Sequence, residues 1–226
     1  MRIGIVSSSG GYVFSEICSG AEHLKPAFAV VTDRPCGIEE VCLARNIPCE
    51  RIVCADRNAF SRSAAAALRS YEVDFVLLFF NRLISAELYD AIPCLNIHPS
   101  LLPAFPGMRA LTESRERNVR FLGATLHLVT EKPDAGPIVA QVSTPIWPPV
   151  SQESFSNISF VQRVYLALLA VELAHIEALS ISPATGRFEY LFALPYDAYC
   201  NPTMQDGRML EFIRRLQSDR KIRVTA

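Results

Sequence analysis

The chain has 226 residues, half of them hydrophobic, and a net charge of −1. That length accommodates one α/β domain with a substantial core, so neither disulfides nor a structural metal is needed to hold it together. The balanced charge gives no ground for expecting a nucleic acid or a membrane surface as partner; any basic group must act locally, on a small anionic ligand.

In chain order, "RIGIV" ending in "SSSGG" predicts a buried first strand and a turn. "YVFSEICSGA" has helical spacing. "FAVVTD" predicts a second strand, and "IEEVCLARN" a second helix stopped near Asn46 and Pro48. "CERIV" is a third short strand, and the alanine-rich "SRSAAAALRSYE" a third helix. "VDFVLLFF" is an unbroken apolar run, which predicts a central strand buried on both faces. "ISAELYDAI" predicts a helix capped by Ser85, and "CLNIH" the next strand. Strands alternating with helices in this way predict an α/β fold with a Rossmann-like, doubly wound, mostly parallel sheet.

The pattern then changes. "GATLHLVT" and "PIVAQVSTPI" predict an antiparallel hairpin added to that sheet, and "SFVQRVYLALLAVELAHIEAL" a long helix over one face. From about Ser180 the chain reads as irregular until a short amphipathic helix, "MLEFIRRLQ". The expected division is residues 1–180 as the principal domain and 181–226 as an extension packed on it.

Seven cysteines, an odd number with no CxxC pair, read as reduced thiols in a cytoplasmic protein, serving mostly as small apolar residues. Cys36, Cys42 and Cys49 match no common zinc spacing, and no metal is expected. The opening has too short an apolar run for a signal peptide. The longest apolar run, "VYLALLAVELAHIEAL", is broken by Glu172, His175 and Glu177, which predicts a buried helix and no membrane span. His23 is expected to be exposed and His175 to be a satisfied core histidine.

The chemistry concentrates in "CLNIHPSLLPAF". In an open parallel sheet, ligands bind beyond the carboxyl ends of the strands. Strand side chains alternate, so Asn96 and His98 share a face, and Pro99 then forces the chain out of the strand. Of the two carboxylates in "TEKPDAGPI", Glu131 and Asp134, the latter sits in a Pro-Asp-Ala-Gly turn able to lean over the sheet edge toward His98. An amide, an imidazole and a carboxylate suit attack on a carbonyl by an amine supplied by the substrate.

"LNIHPSLLPAFPG" followed by "GATLHLVTEKPDAGPIVAQ" resembles the folate-dependent formyltransferases, among them glycinamide ribonucleotide transformylase and the catalytic domain of formyltetrahydrofolate hydrolase. The resemblance extends more weakly from Met1 to about Leu179. It implies a formyltransferase fold and 10-formyltetrahydrofolate as cosubstrate, with a small-molecule amine as second substrate. It also implies Asn96, His98 and Asp134 as the catalytic set. Arg82, Ile84 and the backbone of Val129, Thr130 and Glu131 would surround the pterin. Gly10, Gly11, Tyr12, Arg109 and His127 would face the acceptor.

Two departures bear on that acceptor. Ribonucleotide-binding members carry a Gly-Ser-Asn turn after the first strand, whereas Tyr12 and Val13 here follow Gly11; a phosphate would have only the backbone donors of Ser8 to Gly11. Those members also have a Gln/Glu/His-type cluster on the long helix, where this chain has "RVYLALLAV", read as core or as the wall of a greasier pocket. Glycinamide ribonucleotide stays open as the acceptor, while the altered turn and helix favour a different amine, such as a sugar or amino-acid derivative. Hydrolysis of the same folate is the first alternative; the hydrolases usually carry an N-terminal regulatory domain, while this chain opens on the first strand. A non-catalytic folate- or nucleotide-binding module is the second. The tail aromatics Phe188, Tyr190, Phe192, Tyr196 and Tyr199 are expected to pack as an extension, with an acceptor pocket or a homodimer contact as their other uses.

Overall fold

The computed structural model describes residues 1–147, 149–182 and 187–222. Its first half alternates strand and helix as the apolar runs predict. The elements are β1 (Arg2–Ser7), α1 (Tyr12–Gly20), β2 (Ala27–Thr32), α2 (Ile38–Arg45), β3 (Cys49–Arg51), α3 (Arg57–Ser70), β4 (Phe75–Phe79), α4 (Ala86–Tyr89) and β5 (Cys94–His98). After α5 (Ala110–Glu116), β6 (Phe121–Leu128) and β7 (Ile138–Pro145) form the expected hairpin, and α6 (Gln152–His175) is the long helix. The eight-stranded sheet has the order β10-β7-β6-β5-β4-β1-β2-β3, where β10 is Cys200–Asn201. Strands β1 to β5 are parallel; β6, β7 and β10 are antiparallel additions. Strand order reverses between β1 and β4, which opens a crevice at their carboxyl ends.

Alternation along β5 divides the core. Leu95 and Ile97 join the larger apolar cluster with α1, α6 and α7 (Gly207–Asp219), while Cys94 joins a second cluster with Phe60, Ala64, Leu68 and Leu88 of α3 and α4. Helix α6 alone is long and apolar enough, among the described residues, to cross a membrane, yet nearly all of its apolar stretch is buried against the sheet and its neighbouring helices. Its start is capped by Ser151, which accepts from the Ser154 N–H at 3.0 Å.

Four expectations need correction. Ser85 stands at the start of α4, but its hydroxyl makes no cap; that oxygen is buried without a partner, while the backbone N–H donates to Ser61 Oγ at 2.9 Å and the carbonyl accepts from the Leu88 N–H at 3.0 Å. The chain after Ser180 is not wholly irregular, because β8 (Leu179–Ser182) pairs with β9 (Arg187–Tyr190) and β10 extends the main sheet. Residues 183–186 and 223–226 of that stretch lie outside the described residues. His23 is half-buried, with Nε2 2.7 Å from Asp206 Oδ2, so it ties the segment after α1 to the N-cap of α7. His175, expected in the core, is exposed at the end of α6. Short-range periodicity marks a helix face but not where the helix leaves its neighbours. Among the tail aromatics, Phe188 and Tyr190 stack edge to face and the Tyr190 hydroxyl donates to the Val139 carbonyl, while Tyr196 stays exposed.

Leu166 lies in the middle of α6 and is fully buried. Leu166→Ala is expected to cost about 2–5 kcal/mol, read as a fall in the urea midpoint with the slope of the transition unchanged.

Candidate active site

Asn96 and His98 project from the same face at the end of β5, as alternation requires, and the flanking hairpin supplies the rest. In the β5–β6 register Asn96 lies beside His127 and His98 beside Thr125. His98 is 4% exposed. Its Nε2–H donates to the Phe105 carbonyl at 2.8 Å, which leaves Nδ1 facing Asp134 Oδ1 at 3.4 Å. The other Asp134 oxygen, Oδ2, accepts the Gly107 N–H at 2.7 Å. One loop thus contributes a carbonyl to orient the imidazole and an N–H to orient the carboxylate.

That loop is pegged to the hairpin. Thr125 Oγ1 donates to the Ser100 carbonyl at 2.7 Å and accepts the Leu102 N–H at 3.0 Å. Gln141 Nε2 donates to the Leu102 carbonyl at 2.9 Å and to Thr125 Oγ1 at 3.0 Å. Asp134 reaches the site from a left-handed backbone conformation (φ 52°) that Asp tolerates better than most residues. Gly136 lets the turn close, since a Cβ there would sit 1.8 Å from the Leu128 carbonyl oxygen.

His127 completes the group in a role that its spacing did not reveal. Its Nδ1–H donates to its neighbour's carbonyl, Leu128 O, at 3.1 Å. The bare Nε2 therefore accepts from Asn96 Nδ2 at 3.1 Å, which fixes the orientation of the amide and leaves the second Nδ2–H free. Burial holds the His127 imidazole below the usual histidine value of 6.5, against the pull of its hydrogen bond to Leu128 and the charge of Asp134. The approach of its Nε2 to Asp134 Oδ1, 3.7 Å, is accordingly not an ion pair.

The residues expected around a pterin are placed less uniformly. Arg82 spends its guanidinium on protein groups: the Cys54 and Ala55 carbonyls at 2.9 and 2.7 Å, Asp33 at 3.4 Å, and the faces of Phe60 and Phe80. Ile84 buries its side chain in the second core cluster, and Val129 packs against that cluster while its N–H donates to the Cys94 carbonyl. Thr130 is half-buried and Glu131 exposed on the loop that leads to Asp134.

On the acceptor side, Gly11 is buried with φ 79° and begins α1; a Cβ there would come within 2.7 Å of the Ile38 Cα. Gly10 and Tyr12 are exposed beside it. The Ser8 and Ser9 N–H groups are already used, on the Phe79 carbonyl and Ser7 Oγ, so the expected donor set of Ser8 to Gly11 shrinks to its glycine end. Arg109 is exposed and within 3.6 Å of Glu116, apart from the Asn96–His98 cluster's own contacts. Sequence reasoning passed over Phe105 and Gly107, which act through backbone atoms and leave no side-chain signal.

An amide, an imidazole and a carboxylate thus converge at the carboxyl edge of a doubly wound sheet. The chain belongs to the formyl transferase family, whose profile matches residues 1–162. Phosphoribosylglycinamide formyltransferase of Mycobacterium tuberculosis is 30% identical over 182 residues, 76% of this chain and 85% of that protein. The crystal structure of glycinamide ribonucleotide transformylase 1 from Symbiobacterium toebii superposes with a TM-score of 0.76 at 30% identity, covering 85% of this chain and 94% of that one. Formyltetrahydrofolate deformylase of Escherichia coli is 39% identical over 88 residues, 38% of this chain and 31% of that protein. The resemblance in the two sequence blocks is thus membership, and 10-formyltetrahydrofolate is the cosubstrate of the family.

The neutral state of His127 is measurable. Its imidazole signal in NMR titration is expected to have a midpoint below 6.5, the usual histidine value. Asp134→Asn should lower it further by removing the carboxylate that favours the charged ring. Because the folded value lies below the unfolded one, the stability His127 contributes is fully present above the unfolded value of 6.5 and is lost as pH falls from there through the folded value.

Proposed function

We propose that this enzyme moves the formyl group of 10-formyltetrahydrofolate to the neutral amine of a small molecule, and that its acceptor site differs from that of the ribonucleotide-binding relatives. The observation that carries the reading is the Asn96–His98–Asp134 convergence, with the amide held by His127 and the carboxylate by Gly107. Tyr12 and Val13 in place of a polar pair, and the spent Ser8 and Ser9 donors, support a sugar or amino-acid amine as acceptor.

The folate supplies an activated formyl carbon; the residues of this chain handle the charge and the proton. As the amine nitrogen bonds to that carbon, negative charge gathers on the formyl oxygen. The free Nδ2–H of Asn96 donates to it. His98, fixed through Nε2, presents Nδ1 to the same region and to Asp134, so a protonated ring adds a second stabilising charge. Asp134 receives the proton that the amine sheds, through water, and returns it to the folate nitrogen as the carbon–nitrogen bond to the formyl group breaks. Arg82, Ile84 and the Val129–Glu131 backbone are proposed to flank the pterin. Arg82 does so as a wall whose own hydrogen bonds are already satisfied within the protein.

Purified enzyme with 10-formyltetrahydrofolate and a panel of amines provides the test, followed by release of tetrahydrofolate. Asn96→Ala is expected to lower kcat about 10²- to 10³-fold, and His98→Ala about 10²- to 10⁴-fold. Asp134→Asn, which keeps an acceptor for the Gly107 N–H but loses the charge, should cost activity with little loss of stability. Turnover independent of every amine would instead identify a hydrolase. Variants at Asn96 and His98 with unchanged turnover would refute the assignment of the site.

A further inference from the structure

Segment 100–105 presents the Phe105 carbonyl to His98 Nε2 at 2.8 Å, yet its own backbone is not laddered to the sheet at Leu102. That residue is 5% exposed, and among the described residues side chains meet both of its backbone groups: Thr125 Oγ1 accepts the N–H and Gln141 Nε2 donates to the carbonyl. Within the segment, Ser100 Oγ donates to the Ala104 carbonyl at 2.6 Å and lies 3.1 Å from the Phe105 carbonyl. Phe105 itself stands at φ 51°, a left-handed conformation that is an outlier for a bulky residue. A backbone of that kind persists only where surrounding contacts impose it.

The strand register puts Gln141 in place to impose it. His98 pairs with Thr125 across β5 and β6, and Thr125 with Gln141 across β6 and β7, so the three side chains stand abreast on one face of the sheet. With neighbouring strands about 4.8 Å apart, Gln141 lies about 10 Å from His98, too far to share its chemistry directly. Strand β7 is no free edge at this point, because β10 pairs with it and sets Asn201 opposite Gln141. Gln141 commits both hydrogens of Nε2, one to the Leu102 carbonyl and one to Thr125 Oγ1. The Leu102 N–H takes the second lone pair of that hydroxyl, which leaves the Thr125 hydrogen for the Ser100 carbonyl. One amide therefore holds Leu102 directly and, through Thr125, Ser100 as well.

We infer that Gln141 is a positioning residue for the reaction: by holding segment 100–105 it keeps the Phe105 carbonyl on His98 and fixes the ring as the Nε2–H tautomer, with Nδ1 bare toward Asp134. The inference rests on the role proposed for His98. Without the amide, the Leu102 carbonyl is left buried with no donor, and the segment moves to find one. Phe105 then relaxes from its left-handed conformation, and His98 Nε2 loses its acceptor. The nearest remaining acceptor is Asp134 Oδ1, 3.4 Å from Nδ1, so the proton of a neutral ring shifts to Nδ1. An Nδ1–H held by Asp134 occupies the oxygen that relays the proton of the amine.

Gln141→Met keeps the length of the side chain and removes both N–H donors. Leu101, seated where a Gly123 Cβ would come within 2.4 Å of it, still holds the segment to the hairpin, so the variant is expected to fold. Its kcat should fall about 10- to 10²-fold, with the KM for 10-formyltetrahydrofolate nearly unchanged. Gln141→Glu, of the same shape but without N–H groups, should reproduce the loss and serves if the first variant is unstable. The decisive readout is the ¹⁵N NMR spectrum of the His98 ring, assigned by its absence in His98→Gln. With the ring neutral, the proton is expected on Nε2 in the wild-type enzyme and displaced toward Nδ1 in both variants. A lowered urea midpoint with wild-type kcat and wild-type His98 signals would show a merely structural amide and overturn the inference. A lowered kcat with unaltered His98 signals would overturn it too, since the amide would then act elsewhere. If no amine is formylated, the transfer reading fails, and the tautomer of His98 still decides whether Gln141 holds the ring.

Discussion

One carboxylate holds the two loops of the site in a single arrangement. Asp134 comes from the β6–β7 turn and Gly107 from the segment after β5, and the 2.7 Å bond between Oδ2 and the Gly107 N–H joins them. With that oxygen committed, Oδ1 is left facing the imidazole of His98. The same segment offers the Phe105 carbonyl to His98 Nε2, so orientation of the ring and of the carboxylate rests on one stretch of backbone. Thr125 and Gln141 secure that stretch to the antiparallel strands. The added hairpin is therefore part of the site, where an ordinary parallel edge would have left His98 with one fixed nitrogen and no acid.

The protonation pattern is as constrained as the positions. His127 is buried deeply enough that its neighbouring carboxylate does not keep it charged. A neutral ring with Nδ1–H committed to a carbonyl has one remaining property, a lone pair on Nε2, and Asn96 meets it with an N–H. The amide of Asn96 is thereby held with its other N–H toward the crevice. Two histidines a few residues from each other in space serve different ends: one is a fixed acceptor, the other faces an acid.

Much of the site is visible in the residues themselves. The alternation that puts Asn96 and His98 on one face is a property of any strand, and Pro99 marks where that strand ends. The Pro-Asp-Ala-Gly turn announces a residue able to adopt a left-handed backbone and a glycine beside it. The partners of these groups are less visible. Phe105 and Gly107 act through backbone atoms that every residue possesses, and His127 has the same spacing in the sequence whether it binds a ligand or an amide.

Local pattern alone determined the order of strands and helices, the parallel core with its antiparallel addition, and the face shared by Asn96 and His98. These depend on periodicities of two and 3.6 residues, which act over a few neighbours. Tertiary structure decided which charge is paired and which histidine is neutral. Those properties depend on burial and on contacts between segments tens of residues apart, and the dielectric and hydrogen-bond partners of a group exist only after the chain has closed around it.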